Sequence, residues 1–215
     1  MPRRDVLTRE SIVSAAREML RTTDLDQVSL RKLAGALGVT APALYAHVRD
    51  KGDLLQAVAE LGFGELVARM EAVDATDPLD RLRGYGHAYV DLALSDPEVF
   101  RVMFRYRPAA IEVPEIDNTL PAATAAFTLP GDAVAEAMRT GAIHPDHDPL
   151  RVALLLWTTN HGVASVLLLG ARGGEVFIPD DFAHLVDDVI DTTLAGLAAA
   201  PTRSAREGSG QSSSA

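Results

Sequence analysis

Apolar residues recur every three or four positions along most of this chain. Ile12, Val13, Ala16, Met19 and Leu20 form one stripe, the period of an α-helix that buries one face. Thr8 precedes it as an N-cap. Leu30, Leu33, Ala34 and Leu37 form a second stripe, with Ser29 as cap, and a short third segment runs from 41 to 48. A long helix is predicted from 50 to 73 through Leu54, Leu55, Val58, Leu61 and Leu66. Further helices are predicted over 78–94, 97–106, 118–128, 131–140, 149–170 and 180–199. Breaks fall at Asp77-Pro78, Asp96-Pro97, Pro130-Gly131, His144-Pro145 and Gly173-Gly174, each a turn dipeptide. No alternating strand pattern of useful length is present; Glu175 to Ile178 reads as a short extended stretch inside a loop. The pattern predicts an all-α chain with an N-terminal three-helix unit over 1–52 and a second helical unit over 53–200. The polar, low-complexity tail over 201–215 is expected to be disordered.

Composition sharpens this picture in three places. The 215 residues contain no cysteine, which excludes disulfide frameworks, thiolate metal sites and cysteine nucleophiles and suits the cytoplasm. The charged start, Met1-Pro2-Arg3-Arg4-Asp5, does not read as a secretory leader. The most apolar run, Val152 to Leu169, is interrupted by Thr158, Thr159, Asn160 and His161, so it is predicted to be a buried helix and not a membrane span. The net charge of −10 argues at first against nucleic acid. Its distribution reverses that argument: residues 1–52 hold nine Lys/Arg against six Asp/Glu, and the remainder holds 11 against 24. A basic head on an acidic body is the asymmetry expected when one end meets phosphate.

The segment from Ser29 to Lys51 carries the most specific chemistry. A helix ends at Leu37, and Gly38 supplies the left-handed conformation that stops it. Val39 plugs the corner, Thr40 is expected to cap the next helix, and Pro42 lies in its first turn, where a missing N–H costs nothing. Helix, three-residue turn and helix make a helix-turn-helix. The second helix is expected to present Ala41, Ala43, Tyr45, Ala46 and His47 to a major groove. Tyr45, His47, Lys51 and the Thr40 hydroxyl suit phosphate, and Arg31 is the side chain suited to a bidentate guanine contact. Packing is the alternative for Tyr45, and a solvated surface is the alternative for His47 and Lys51.

These residues resemble a known family. The run Leu30-Arg31-Lys32-Leu33-Ala34, Leu37-Gly38-Val39, Ala43-Leu44-Tyr45, His47-Val48, Lys51 and Leu54-Leu55 is similar to the DNA-binding domain of TetR-type regulators. The resemblance implies phosphate contacts for Tyr45, His47 and Lys51 and base reading by Arg31. Family members often carry larger polar groups where this chain has Ala41 and Ala43. Specificity is then expected to rest on Arg31, thymine-methyl contacts and DNA shape, with Arg3 and Arg4 as a minor-groove arm.

Two features of the second unit resemble the TetR-type C-terminal domain named for tryptophan, histidine and glycine. They are Asp96-Pro97-Glu98-Val99-Phe100-Arg101-Val102-Met103-Phe104 and Trp157-Thr158-Thr159-Asn160-His161-Gly162. The resemblance implies a homodimer through helices at about 149–170 and 180–199, a palindromic double-stranded operator, and a small-molecule effector held between the long helices. Phe63, Val67, Tyr89, Met103, Phe104, Phe127, Trp157 and His161 are the candidate lining, suited to an apolar or aromatic ligand; ordinary core is the alternative for each apolar member, and a structural hydrogen-bond donor or a dimer residue is the alternative for His161. His144, His147 and Asp148 sit in a turn and are not read as a metal site. No cofactor is implied. The chain lacks Gly-x-Ser-x-Gly, a phosphate loop and His-Glu-x-x-His, so an enzyme is the weaker alternative to a regulator. A DNA-binding regulator without an effector is another.

Overall fold

Local sequence explains where the first helices start and stop. The computed structural model describes residues 7–105, 120–171 and 184–198. Helix α1 (Arg9–Leu20) opens on a capping box, in which the Thr8 hydroxyl accepts from Ser11 N and Ser11 answers at Thr8 N. A 3₁₀ turn (Leu25–Gln27) leads to α2 (Leu30–Ala36), capped by Ser29. Gly38 adopts φ +65°, a conformation that costs a Cβ-bearing residue energy. The turn delivers α3 (Ala41–Tyr45), with Pro42 in its first turn. Two expectations change here. The α3 helix ends three residues earlier than predicted, and the Thr40 side chain makes no capping hydrogen bond.

Helix α4 (Lys51–Glu71) starts on an Asp50 cap and runs unbroken through position 52/53, where the sequence suggested a division. It is followed by α5 (Pro78–Ser95) and α6 (Pro97–Arg105). The two helices predicted over 118–128 and 131–140 are one, α7 (Pro121–Arg139), with Pro130 inside it. An interior proline removes one backbone hydrogen bond. Here the same apolar face, Ala126, Ala133, Val134 and Ala137, is buried on both sides of it, and packing against α4, α5 and the next helix carries the helix through. That next helix is α8 (Pro149–Ala171), and α9 (Leu185–Leu197) closes the described chain. His144 N donates to Leu197 O at 2.9 Å and ties the α7–α8 turn to the end of α9. Among the described residues there is no strand, and the all-α prediction stands. The arm at Arg3 and Arg4, the stretch 175–178, Phe182 and the tail 201–215 lie outside the described residues.

The core is continuous from the first helices to the last. Ile12, Ala16, Leu33, Leu44, Leu54 and Leu55 are fully buried around the N-terminal helices. At Gly62 a Cβ would stand 2.7 Å from both Met103 Sδ and Val99 Cγ1. Only glycine lets α6 lie this close to α4.

Helix α8 departs from its prediction in an instructive way. It is long and apolar enough to cross a membrane, yet only 28% of its most apolar window is buried. Val152, Leu156 and Val163 face the core, and Leu150, Ala153, Leu154, Trp157 and Asn160 line a cavity. The third side, Arg151, Leu155, Thr158, Gly162, Val166 and Leu169, is exposed along the whole helix. One chain supplies cover for two sides of an almost uniformly apolar helix and leaves the third open.

Candidate nucleic-acid interface and effector cavity

The N-terminal helices are locked together by a small ion-pair network. Arg9 donates to Asp53 Oδ1 and Oδ2 at 2.8 and 3.1 Å and to the His47 carbonyl at 2.7 Å. Arg49 N donates to Asp53 Oδ2 at 2.8 Å. Asp53 thus holds the α3–α4 turn, and the Arg9 guanidinium lowers its carboxyl pKa to about 2. The sequence reading missed both residues, because their spacing of 44 positions matches no local motif.

The predicted DNA-contact residues differ in exposure. Arg31, Thr40, Pro42 and Tyr45 are exposed, while Ala41, Ala43, His47 and Lys51 are half-buried. Of the five residues expected to face outward on the second helix, Tyr45 and Ala46 are exposed and the other three are half-buried. The physical reason is length: a five-residue helix anchored by Leu44 draws its flanking alanines toward the core. Tyr45 is 57% exposed, so packing does not account for it. Lys51 is not simply solvated. Its ammonium donates to the Leu25 carbonyl at 2.9 Å and to the Asp26 carbonyl at 3.5 Å, both in the 3₁₀ turn, and one proton is left for another acceptor.

In the body a cavity of about 120 Å³ lies between α4, α5, α6, α7 and α8. Five of the eight candidate ligand residues line it: Phe63, Tyr89, Phe104, Phe127 and Trp157. Their rings form a chain of edge-on and tilted pairs, with Phe63–Phe104 centroids at 5.8 Å and Phe127–Trp157 at 6.0 Å edge-on and Phe104–Trp157 tilted between them. His161 stands behind this wall, with Nδ1 2.8 Å from the Tyr89 hydroxyl and its ring 4.9 Å from that of Phe104. Burial holds His161 below its usual pKa and raises the Tyr89 phenol. The phenol and the imidazole are thus joined as uncharged groups by one hydrogen bond, whose direction the imidazole tautomer sets. The Trp157 indole pulls the phenol weakly the other way without reaching hydrogen-bonding geometry, and its buried N–H has no partner among the described residues. Met103 and Val67 lie off this cavity: Met103 is packed at the α4–α6 crossing, and Val67 is a half-buried residue against the core. Leu82, Tyr85 and Asn160 line it and were not singled out in the sequence. No group of three or more metal-ligating side chains occurs among the described residues.

One junction links the two regions. Asp96 is 4% exposed and the only buried charged residue among those described. It ends α5, and its backbone and side chain accept from the first turn of α6. Its Oδ2 receives Arg17 Nε of α1 at 2.9 Å, and the same guanidinium pairs with Glu65 of α4. Three elements of the body therefore hold the first helix of the head through Arg17, with Arg21 standing 4.0 Å from the same carboxylate oxygen.

Comparison with known proteins agrees with this geometry. Residues 12–58 match the family described as "Bacterial regulatory proteins, tetR family", and residues 82–193 match "Tetracyclin repressor-like, C-terminal domain". Both describe regulators and not enzymes. The tetracycline repressor protein class D of Escherichia coli is 49% identical over 53 residues, 25% of this chain and 24% of its own length. The class A protein from transposon 1721, also from Escherichia coli, is 32% identical over 124 residues, 58% of this chain and 57% of its own. The chain thus spans between a quarter and just over half of these curated relatives. A solved structure of a protein of unknown function from Rhodococcus sp. RHA1 superposes with TM-score 0.75 at 32% identity, covering 93% of this chain and all of that one. With a helix-turn-helix built at the matching residues and a C-terminal match over more than half its length, this chain belongs to the TetR family of DNA-binding transcription regulators.

Proposed function

We propose that this chain is a cytoplasmic repressor that binds a palindromic operator as a homodimer and releases it when a small apolar or aromatic effector fills the body cavity. Arg31 reads a base edge, Tyr45, His47, Lys51 and the Thr40 hydroxyl hold phosphates, and Ala41, Pro42 and Ala43 meet the groove floor by apolar contact. The partner copy covers the open side of α8 together with the small exposed residues Thr192, Ala195 and Gly196 of α9. Two-fold symmetry then places two heads about one helical turn of DNA apart.

The observation that carries the reading is the Asp96–Arg17 junction. Phe104 of α6 lines the cavity, and the N-terminal end of the same helix is ion-paired to α1 of the head. A ligand that repacks Phe104 shifts α6, and α6 shifts the head. The effector needs only to bind better to the conformation whose heads do not fit the operator.

The test is selection of bound DNA from a random library, followed by anisotropy titration of the selected site with and without cavity ligands. The expected result is a palindrome whose affinity falls when the cavity is filled. A site without two-fold symmetry removes the dimer from the reading. Affinity unchanged at full occupancy removes the effector and leaves a regulator that acts without one.

A further inference from the structure

We propose that the body cavity takes an uncharged single-ring molecule and rejects anions and cations of the same size; this rests on the reading of the cavity as the effector site. Size is the first observation. The space measures about 120 Å³, slightly below the roughly 150 Å³ of an engineered apolar cavity that binds benzene. One ring fits, and two fused rings do not fit without movement of the wall. The shape of the wall suits a ring as well, since Phe63, Phe104, Phe127 and Trp157 present faces and edges to the space.

Charge is the second observation. Among the described residues, no Asp, Glu, Lys, Arg or His lines the cavity. Its polar groups are the side chains of Tyr85, Tyr89 and Asn160 and the unpartnered Trp157 indole N–H, all uncharged. The Tyr89 hydroxyl is already committed to His161. The cation whose field reaches the Tyr85 phenol is Arg81, and it is committed too, to Glu136 at 2.9 Å and to the carbonyls of Ala75 and Thr76. A carboxylate entering this space finds no free cation, and an ammonium finds no carboxylate on the wall; Asp132 and Glu71 act on the Tyr85 phenol only from outside the lining. Neither regains the hydration it loses. At the mouth, Phe127, Leu150 and Leu154 are 49%, 68% and 46% exposed, so a substituent on the ring meets an apolar rim as it leaves.

The chain contains one tryptophan, and that residue lines the cavity, so Trp157 emission reads occupancy directly. The experiment titrates the full chain with ethylbenzene, acetophenone, benzoate and benzylammonium, and follows Trp157 emission, melting temperature and operator anisotropy in the same samples. Ethylbenzene and acetophenone are expected to give saturable changes and to displace each other. Benzoate and benzylammonium are expected to bind at least about tenfold more weakly, because each brings an unpaired charge into the cavity. Ala153→Phe, which fills the space, is expected to abolish the neutral signals; mutual displacement serves the same purpose if that variant does not fold. Binding of either charged probe as tight as its neutral counterpart overturns the proposal, and so does a response to none of the four. Binding of the neutral probes with operator affinity unchanged leaves this chemical class standing and overturns the effector-release reading instead.

Discussion

The head and the body of this protein close their surfaces by opposite means. In the head, apolar residues such as Ile12, Leu33, Leu44 and Leu54 are buried completely, and several polar side chains are spent inside the unit, Arg9 on the Asp53 carboxylate and Lys51 on the Leu25 backbone carbonyl. In the body, an aromatic cavity stays open and a full side of α8 is bare, with Leu155 44% and Leu169 56% exposed. Exposed apolar side chains in a row along one helix are the kind of surface that proteins use for contacts. The head is finished as folded and needs only phosphate and bases. In the proposed function the body is completed by a partner copy and a ligand. In that proposal the links between the two regions, above all Arg17, carry events in the body to the DNA.

The largest effect expected from breaking this contrast is on assembly. Val166→Glu places a charge in the middle of the bare α8 side, and symmetry places two of them in one interface. An unpaired buried charge costs several kcal/mol, so dimer dissociation is expected to strengthen about a thousandfold, or roughly 4 kcal/mol. Operator affinity should fall with it, while the variant monomer keeps its helical content and melting behaviour. Sedimentation equilibrium and anisotropy check this together. An unchanged dimer would put the interface on a surface other than α8.

The next effect concerns the link itself. Asp96→Asn keeps an acceptor for the α6 first turn but leaves Arg17 with Glu65 alone. Hydrogen bonds to charged groups contribute about 1.5–3 kcal/mol, and a loss of that size is expected in chemical denaturation. The sharper readout is coupling: the ratio of operator affinities with and without a bound cavity ligand should move toward one. Stability lost with the ratio intact would make Asp96 a purely structural charge and pass the coupling to α4.

How much of this was legible in sequence depends on range. Thr8, Ser29, Gly38 and Pro42 announce their roles locally, and the helix-turn-helix follows from them. The aromatic cavity wall was half legible, because Phe63, Tyr89, Phe104, Phe127 and Trp157 are conspicuous residue types on helical faces. Met103 carries the same signal, yet it sits at a helix crossing opened by Gly62. Pro130 pointed the other way: read locally it ends a helix, and only packing on both sides reveals that it does not. Arg9–Asp53 and Arg17–Asp96 span 44 and 79 positions and leave no trace in any window of sequence. The same is true of Lys51, whose tie to Leu25 depends on how the 3₁₀ turn folds back.

The head's ion pair supports a prediction of moderate size with a defined pH window. Asp53 has its pKa lowered from 3.8 to about 2, chiefly by the Arg9 hydrogen bonds. A depressed carboxylate stabilises the fold at pH values above its unfolded pKa, and that contribution is lost as pH falls through the folded one. Arg9 is 42% exposed, so solvent screens part of the pair, and about 1–2 kcal/mol is expected at pH 7. Asp53→Asn should therefore be less stable than the parent at pH 7, with the gap closing between about pH 4 and pH 2. A gap that stays constant across this range would mean that the turn is held by the backbone bonds of Asp53 and not by its charge.

The smallest effect tests whether the head is as self-sufficient as the comparison makes it. Lys51 serves the fold through Leu25 and, in the proposed function, serves the DNA through phosphate. Lys51→Ala removes both. Losing the internal bond is expected to cost about 1 kcal/mol in stability. Losing a phosphate contact is expected to flatten the dependence of log affinity on log salt by about one unit. The two roles separate because only the second changes the slope. Weaker operator binding with an unchanged slope would confine Lys51 to the interior of the head, where it orients α4 against the 3₁₀ turn. The phosphate contacts would then rest on Tyr45, His47 and Thr40.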